Sequence, residues 1–348
     1  MELTRRRFVA TGVGTAGIGA LAGCLGGSNA AEPESDGTAA QSSFFVFGSI
    51  TAAVAGDATA SKLLVPTGQH GHGWEPGPRV REAVSDADLL VHGPENFQPW
   101  MDDVLADLDA DGADVATVDV SHDVSLLSAG ESHDGEHSGD HEGTDHEGTA
   151  HDETEHHGTE SGHDGEEHDH GATDPHFWMD PTRVATATGT AEAALADVDA
   201  DNADVYAENA SAFRKELRDL DARMESVVAD AATETLLVAG HDSFSYLEDR
   251  YGVHVEALTG ISPDDRPTTR DIQHAQGVID EHGLQYVCAD PLAPQEAAEQ
   301  LVAETDAEAV LPLTAMPGLT DEWDDENWGY VDVMTEVNLP TLERALDA

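Results

Sequence analysis

Histidines in three separate motifs of this chain stand where an imidazole could be held against a metal ion. His176 lies in Asp174-Pro175-His176-Phe177-Trp178-Met179-Asp180-Pro181. Pro175 and Pro181 fix local φ and push the residues before them toward extended backbone. Phe177 and Trp178 offer apolar area to bury, and Asp180 is a candidate to orient the ring. A neutral imidazole held in this way suits a borderline cation such as Zn²⁺. A single histidine among aromatics is more often structural, so the assignment depends on what accompanies it. His70 and His72 sit in a glycine-rich loop, Pro66-Thr67-Gly68-Gln69-His70-Gly71-His72-Gly73-Trp74-Glu75-Pro76, and His241 sits in Gly240-His241-Asp242-Ser243-Phe244-Ser245-Tyr246. Ten of the 19 histidines crowd into residues 133–170 among Asp, Glu, Gly, Ser and Thr. That composition binds metal without fixed geometry, following the general imidazole preference for Zn, Cu and Ni. The plainer alternative is an acidic spacer in which histidines accumulated by drift, and their density argues against it.

Such residues need rigid elements to bring them together. The pattern predicts strands at 44–47, 62–65, 88–92 and 115–120, alternating with helices near 51–60, 78–86 and 100–108. The His70/His72 loop follows the second strand, and open α/β sheets place ligands at the carboxyl ends of strands. The logic repeats with strands at 235–239, 253–258, 286–289 and 309–313, helices at 268–282 and 295–305, and a closing helix at 330–346. His241 ends the first strand of that set. Alternation of this kind predicts an α/β fold of two lobes, each with a mainly parallel sheet flanked by helices. Between them lie helical stretches at 183–198 and 202–232. The second carries Val205, Phe213, Leu217, Leu220 and Met224 at three-to-four spacing. At about 45 Å it is long enough to be a rigid strut between lobes. Residues 128–172 offer nothing to offset the entropy of ordering and are expected to be disordered. The expected organisation is a signal peptide at 1–23, a flexible tether at 24–43, an N-terminal lobe at 44–200 carrying the insertion 128–172, a linking helix at 201–233, and a C-terminal lobe at 234–348.

The amino terminus predicts where the protein works. Thr4-Arg5-Arg6-Arg7-Phe8-Val9 resembles a twin-arginine export motif, and residues 9–22 are small and apolar. That run is too short and too rich in glycine for a spanning helix, which needs about 20 strongly apolar residues. It ends in Leu21-Ala22-Gly23-Cys24, which resembles a lipoprotein signal-peptidase box and makes Cys24 the lipidated first residue of the mature chain. The plainer alternative is a signal with an incidental cysteine. Cys288, the other cysteine, then has no disulfide partner and reads as a small buried core residue. Asp plus Glu number 71 against 15 Lys plus Arg, a formal net charge of −56. Such a surface excludes nucleic acid, since phosphate binding needs basic patches. The acidity covers the whole chain, so salt adaptation explains it better than an acidic function. With the twin-arginine signal it points to a haloarchaeal source. The expectation is a monomer, lipid-anchored at the cell surface on the outer face of the cytoplasmic membrane.

His72 in His-x-x-Glu-Pro after a strand, His176 in Asp-Pro-His-x-Trp-x-Asp-Pro, and His241 in Gly-His-Asp-x-Phe-x-Tyr follow one another in the order seen in a known family. Together they resemble the metal-binding subunit of ABC importers, the cluster A-I solute-binding family, and within it the zinc branch, whose mark is a His-rich insertion before the second motif. The resemblance covers most of residues 44–348. It implies two α/β lobes joined by one long rigid helix with metal between them. It also implies His72, His176 and His241 as ligands, Zn²⁺ as the transported ligand, and a permease and ATPase as partners. The family's acidic fourth ligand, in an Asp-Pro-Leu-like turn, is expected near 313–317, where no carboxylate stands. Water, Asp290 or Asp321 then fills that place. Gln98 stands where the family's Gly-x-x-Phe-Glu segment has its Glu, with Glu95 nearby. His70 competes with His72, which is preferred for its Glu-Pro spacing. Three imidazoles and one open position suit tetrahedral Zn²⁺ but also hydrolytic zinc. No His-Glu-x-x-His helix occurs, and the histidines come from separate loops, so an enzyme is disfavoured. The remaining alternatives are a manganese or other divalent-metal binder of the same family, and a metal-buffering or adhesin lipoprotein without a transporter.

Overall fold

The computed structural model describes residues 38–71, 74–129, 173–262 and 265–348. The first lobe runs β1 (Ala39–Ser42), α1 (Phe45–Ala55), β2 (Ala60–Leu63), α2 (Pro78–Ser85), β3 (Leu89–His92), α3 (Pro99–Asp111) and β4 (Ala116–Asp119). Two helices follow, α4 (Pro181–Val198) and α5 (Ala203–Asp230). The second lobe runs β5 (Thr235–His241), α6 (Ser245–Tyr251), β6 (His254–Thr259), α7 (Thr269–His282), β7 (Tyr286–Ala289), α8 (Glu296–Glu304), β8 (Ala309–Pro312), α9 (Asp321–Asp325), α10 (Tyr330–Val333) and α11 (Leu339–Ala345). The strand orders are β2-β1-β3-β4 and β6-β5-β7-β8, with every neighbouring pair parallel. The two lobes therefore share one topology. In each, the chain changes direction between the two central strands, which opens a crevice at their carboxyl ends. The loops after β2 and β3, the end of β5 and the turn after β7 all arrive there.

α5 buries Tyr206, Ala210, Phe213, Leu217, Leu220, Met224 and Val227, an alternating four-and-three spacing that lines one stripe. It links the lobes but is not a bare strut, because it packs along its length against α1, α4, α10 and α11. Val205, predicted to belong to the stripe, is 42 % exposed, and Tyr206 takes its place. One core cluster runs through both lobes, from Phe44, Phe47 and Trp178 to Leu217, Leu236, Leu313 and Tyr330. The C-terminal segment returns to the first lobe, where the Tyr330 N–H donates to Ser49 Oγ at 2.7 Å.

Two expectations at the start of the folded body need correction. Residues 44–47 are not a strand: Phe45, Val46 and Phe47 open α1 and are buried on all sides. A helix surrounded by protein shows no helical period, so its aromatic start imitates a strand. The first strand lies at Ala39–Ser42, inside the stretch assigned to the tether. Its small, weakly β-forming residues are held by parallel pairing to both β2 and β3. The predicted closing helix is also interrupted by a π-type turn at Met334–Asn338. Pro340 follows it and cannot donate to the carbonyl of Glu336. Residues 1–37, with Cys24 and the signal, and 130–172, with the His-rich tract, lie outside the described residues. So do His72 and Gly73. At the two ends of the insertion, Ser128 bridges Thr173 antiparallel and Asp174 N–H donates to Leu127 O at 2.8 Å.

Candidate metal centre

His176 is 1 % exposed and precedes the short 3-10 turn Phe177–Met179. Phe177 and Trp178 are fully buried among Phe44, Phe47 and Phe97, with ring centroids 5.0–6.3 Å apart. Trp178 Nε1 donates to Ala315 O at 2.8 Å, and Tyr330 Oη donates to Trp178 O at 2.7 Å. The Tyr246 hydroxyl, from α6, donates to Asp174 O at 2.6 Å. The His176 segment is thus pinned by groups of the second lobe. Asp174, not Asp180, orients the ring: its Oδ1 accepts from His176 N–H at 2.8 Å and lies 2.8 Å from His176 Nδ1. Asp180 instead caps α4, accepting from Thr182 N–H, and pairs with Arg183. With the Nδ1 proton directed at a carboxylate, the lone pair of Nε2 is left to bind metal. Burial pushes the Asp174 carboxyl up, but its hydrogen bonds to His176 and that ring's charge outweigh it, and the group ends below the usual carboxylate range.

His241 is the last residue of β5, where the pairing with β6 shifts register between Val238 and His241. Such an irregularity re-aims a side chain at a strand end. Its Nε2 lies 3.4 Å from His176 Nε2. Two nitrogens each about 2.0–2.1 Å from a tetrahedral Zn²⁺ stand about 3.3–3.4 Å apart, so the pair already has the spacing of two zinc ligands. Burial, then the charges of His176 and His70, push His241 down to about 3. The imidazole is therefore neutral and ready to bind at any ordinary pH. The His70 ring lies 6.4 Å from that of His241, so the loop after β2 reaches the same place. Among the described residues no three His, Cys, Asp or Glu side chains form a metal-holding group. His72 lies outside them.

A small cavity of about 30 Å³ is lined by His70, His241 and Asp290 together with Phe244, Leu313 and Pro317. Asp290 follows β7, and its Oδ2 accepts from Thr314 Oγ1 at 2.5 Å while Oδ1 accepts from Leu292 N–H at 2.8 Å. Burial raises its carboxyl to about 6. No carboxylate stands at 313–317 itself, but Asp290, in Asp290-Pro291-Leu292, lines the cavity together with Leu313 and Pro317. Asp321 is exposed in the first turn of α9 and does not line the cavity. Gln98 is 2 % exposed and bonded to Ser43 and Gly71, so it serves the loop and does not substitute for a carboxylate ligand.

A family model described as ZnuA, zinc-uptake complex component A, periplasmic, matches residues 41–345. The zinc-binding lipoprotein AdcA of Streptococcus pneumoniae is 27% identical over 304 residues, covering 87% of this chain and 55% of that protein. The chain thus spans about half the length of that relative. The high-affinity zinc uptake system protein ZnuA of Bacillus subtilis is 28% identical over 284 residues, covering 82% of this chain and 80% of that protein. The crystal structure of the Zn(II)-bound ZnuA-like domain of S. pneumoniae AdcA has a TM-score of 0.68 at 23% identity, covering 90% of this chain and all of that one. At that identity the likeness speaks for the fold.

Proposed function

This chain belongs to the family of periplasmic zinc-uptake components, and from that premise we propose that it captures Zn²⁺ in the crevice between its lobes and delivers it to the permease of an ABC importer. The observation that carries this reading is the His176–His241 pair, drawn from the two lobes with its Nε2 atoms 3.4 Å apart. One ring is oriented by a buried carboxylate, and the other is held neutral. His72, two residues beyond His70 on a loop that reaches His241, supplies the third nitrogen, and Asp290 the fourth position. A set of three imidazoles favours Zn²⁺ over Mn²⁺, which prefers harder oxygen ligands. Zinc is cargo here, and the protein is a binding protein, not an enzyme. Cys24 carries the lipid that keeps it on the outer face of the membrane, and the formal charge of −56 keeps it soluble in concentrated salt.

The test is metal analysis and competitive titration of the parent with His72→Ala, His176→Ala, His241→Ala and His70→Ala variants. The first three each weaken the tightest zinc site by orders of magnitude, while His70→Ala changes it little. A triple variant of His72, His176 and His241 that still binds one equivalent as tightly as the parent refutes the assignment. A large loss at His70→Ala with none at His72→Ala moves the third ligand to His70.

A further inference from the structure

Gln98 stands just before α3, 2 % exposed, and each of its side-chain polar atoms is engaged. Its Oε1 accepts from Ser43 Oγ at 2.7 Å, and its Nε2 donates to Ser43 O at 3.0 Å and to Gly71 O at 3.1 Å. Trp100 Nε1 adds a longer donation to the same Gly71 O at 3.5 Å. On its other side, Gly71 N–H donates to Pro317 O at 2.7 Å. A Cβ on Gly71 would lie 2.7 Å from the Phe44 ring and 3.0 Å from Pro317 O. The residue immediately before His72 is therefore held by the end of β1, the start of α3 and a segment of the second lobe, and it has no room for a side chain.

We propose that Gln98 is a positioning residue of the zinc site, whose side-chain amide clamps Gly71 to the β1 end and so fixes how the chain enters His72. This rests on the reading of His72 as a ligand. The clamp needs an amide. Two of the three partners are carbonyl oxygens, which accept only, so a carboxylate here would face them with no hydrogen to give. A glutamate would serve only when protonated, whereas glutamine holds the loop at every pH.

The test follows zinc release to a chromogenic chelator by stopped flow, and zinc affinity by competition. The proteins are the parent, Gln98→Leu, Gln98→Glu and His176→Ala, with thermal unfolding of each metal-free form recorded alongside. Gln98→Leu removes the Gln98 donor from two buried carbonyls, Ser43 O and Gly71 O, and leaves the loop held only by Trp100 and Pro317. Zinc release should accelerate about ten- to hundredfold. Gln98→Glu should be worse at about pH 8, and its deficit should narrow toward about pH 6, because a buried carboxyl has a raised pKa and its protonated form regains one donor. Each rate is read as the ratio of variant to parent at the same pH, so any pH dependence of the parent itself cancels. Parent release rates in both Gln98 variants, even with a lowered melting temperature, overturn the proposal. So does a Gln98→Glu deficit that stays constant with pH. If the Gln98 variants fail to fold, Ser43→Ala removes one hydroxyl partner of the clamp and should still speed release severalfold; an unchanged rate overturns the proposal equally. Parent-like release from His176→Ala would instead overturn the site assignment itself.

Discussion

Replacing Asp174 by Asn changes the charge next to the metal centre and almost nothing of its shape. In the native protein Asp174 Oδ1 lies 2.8 Å from both the backbone nitrogen and Nδ1 of His176, with both side chains 1 % exposed. An amide oxygen can still accept both bonds, but a hydrogen bond to a charged group contributes about 1.5–3 kcal/mol against about 0.5–1.5 for a neutral one. The lost basicity of the ring should raise the zinc Kd by about tenfold, and up to about a hundredfold, the usual range for a carboxylate behind a ligating histidine. If the amide turns its nitrogen toward Nδ1, the proton moves to Nε2 and blocks the ligand atom, which places the effect at the upper end. The assay is competition for zinc against a chelator of known affinity, at constant salt because exposed charges are screened. An Asp174→Asn variant with parent affinity within a factor of two would refute the idea that Asp174 tunes His176. A second signature comes from linkage. The Asp174 carboxyl is held below its ordinary value, so its stabilisation is present above about pH 3.9 and lost as pH falls through the depressed value. The metal-free variant should therefore be less stable than the parent near neutrality, with the gap closing only in strong acid.

His241 has the opposite relation to acid. Its folded value of about 3 lies below the ordinary imidazole value of about 6.5, so the metal-free protein should keep full stability above pH 6.5 and lose it as pH falls from there toward 3. Thermal unfolding of the parent against His241→Gln over that interval checks this, and parallel pH curves would count against it. Asp290→Asn should weaken zinc binding by about tenfold, a typical cost for one weak ligand or its charge-assisted network, while Asp321→Asn should leave it unchanged. Equal behaviour of the two in the same competition assay would remove Asp290 from the site. Deleting residues 132–171 should leave the fold and the tightest site intact. Ser128 and Thr173 are already bridged, and the remaining residues 129–131 and 172 form a short connection. Several weak metal equivalents should disappear, and uptake should drop only when zinc is scarce, since a tethered collector raises local concentration. Loss of the tightest site in the deletion protein would show that the tract supplies a ligand.

Secondary structure was readable wherever the local pattern and the environment agreed. The strand at 286–289 and the helix near 268–282 coincide with β7 and α7, because turn residues bound the first and a capping box at Thr268 opens the second. The local pattern misleads where burial erases it, as in the wholly buried start of α1, or where pairing overrides weak propensity, as in β1. Val205 and Tyr206 are adjacent, so a one-residue phase error in α5 was enough to exchange an exposed side chain for a buried one.

By itself the sequence determined the two-lobe parallel α/β plan and the positions of His70, His176 and His241 in loops or at strand ends, because periodicity and punctuation act over about ten residues. It also determined the strongly acidic charge. Only the tertiary structure decided that His176 and His241, 65 residues apart, meet at 3.4 Å. The same holds for Asp174 rather than Asp180 as the partner of the His176 ring, for Asp290 rather than Asp321 at the cavity, and for Gln98 as a clamp on Gly71. The physical reason is common to all four. A buried polar atom must find a partner, and which partner it finds depends on what packing brings within about 3 Å, not on its neighbours along the chain.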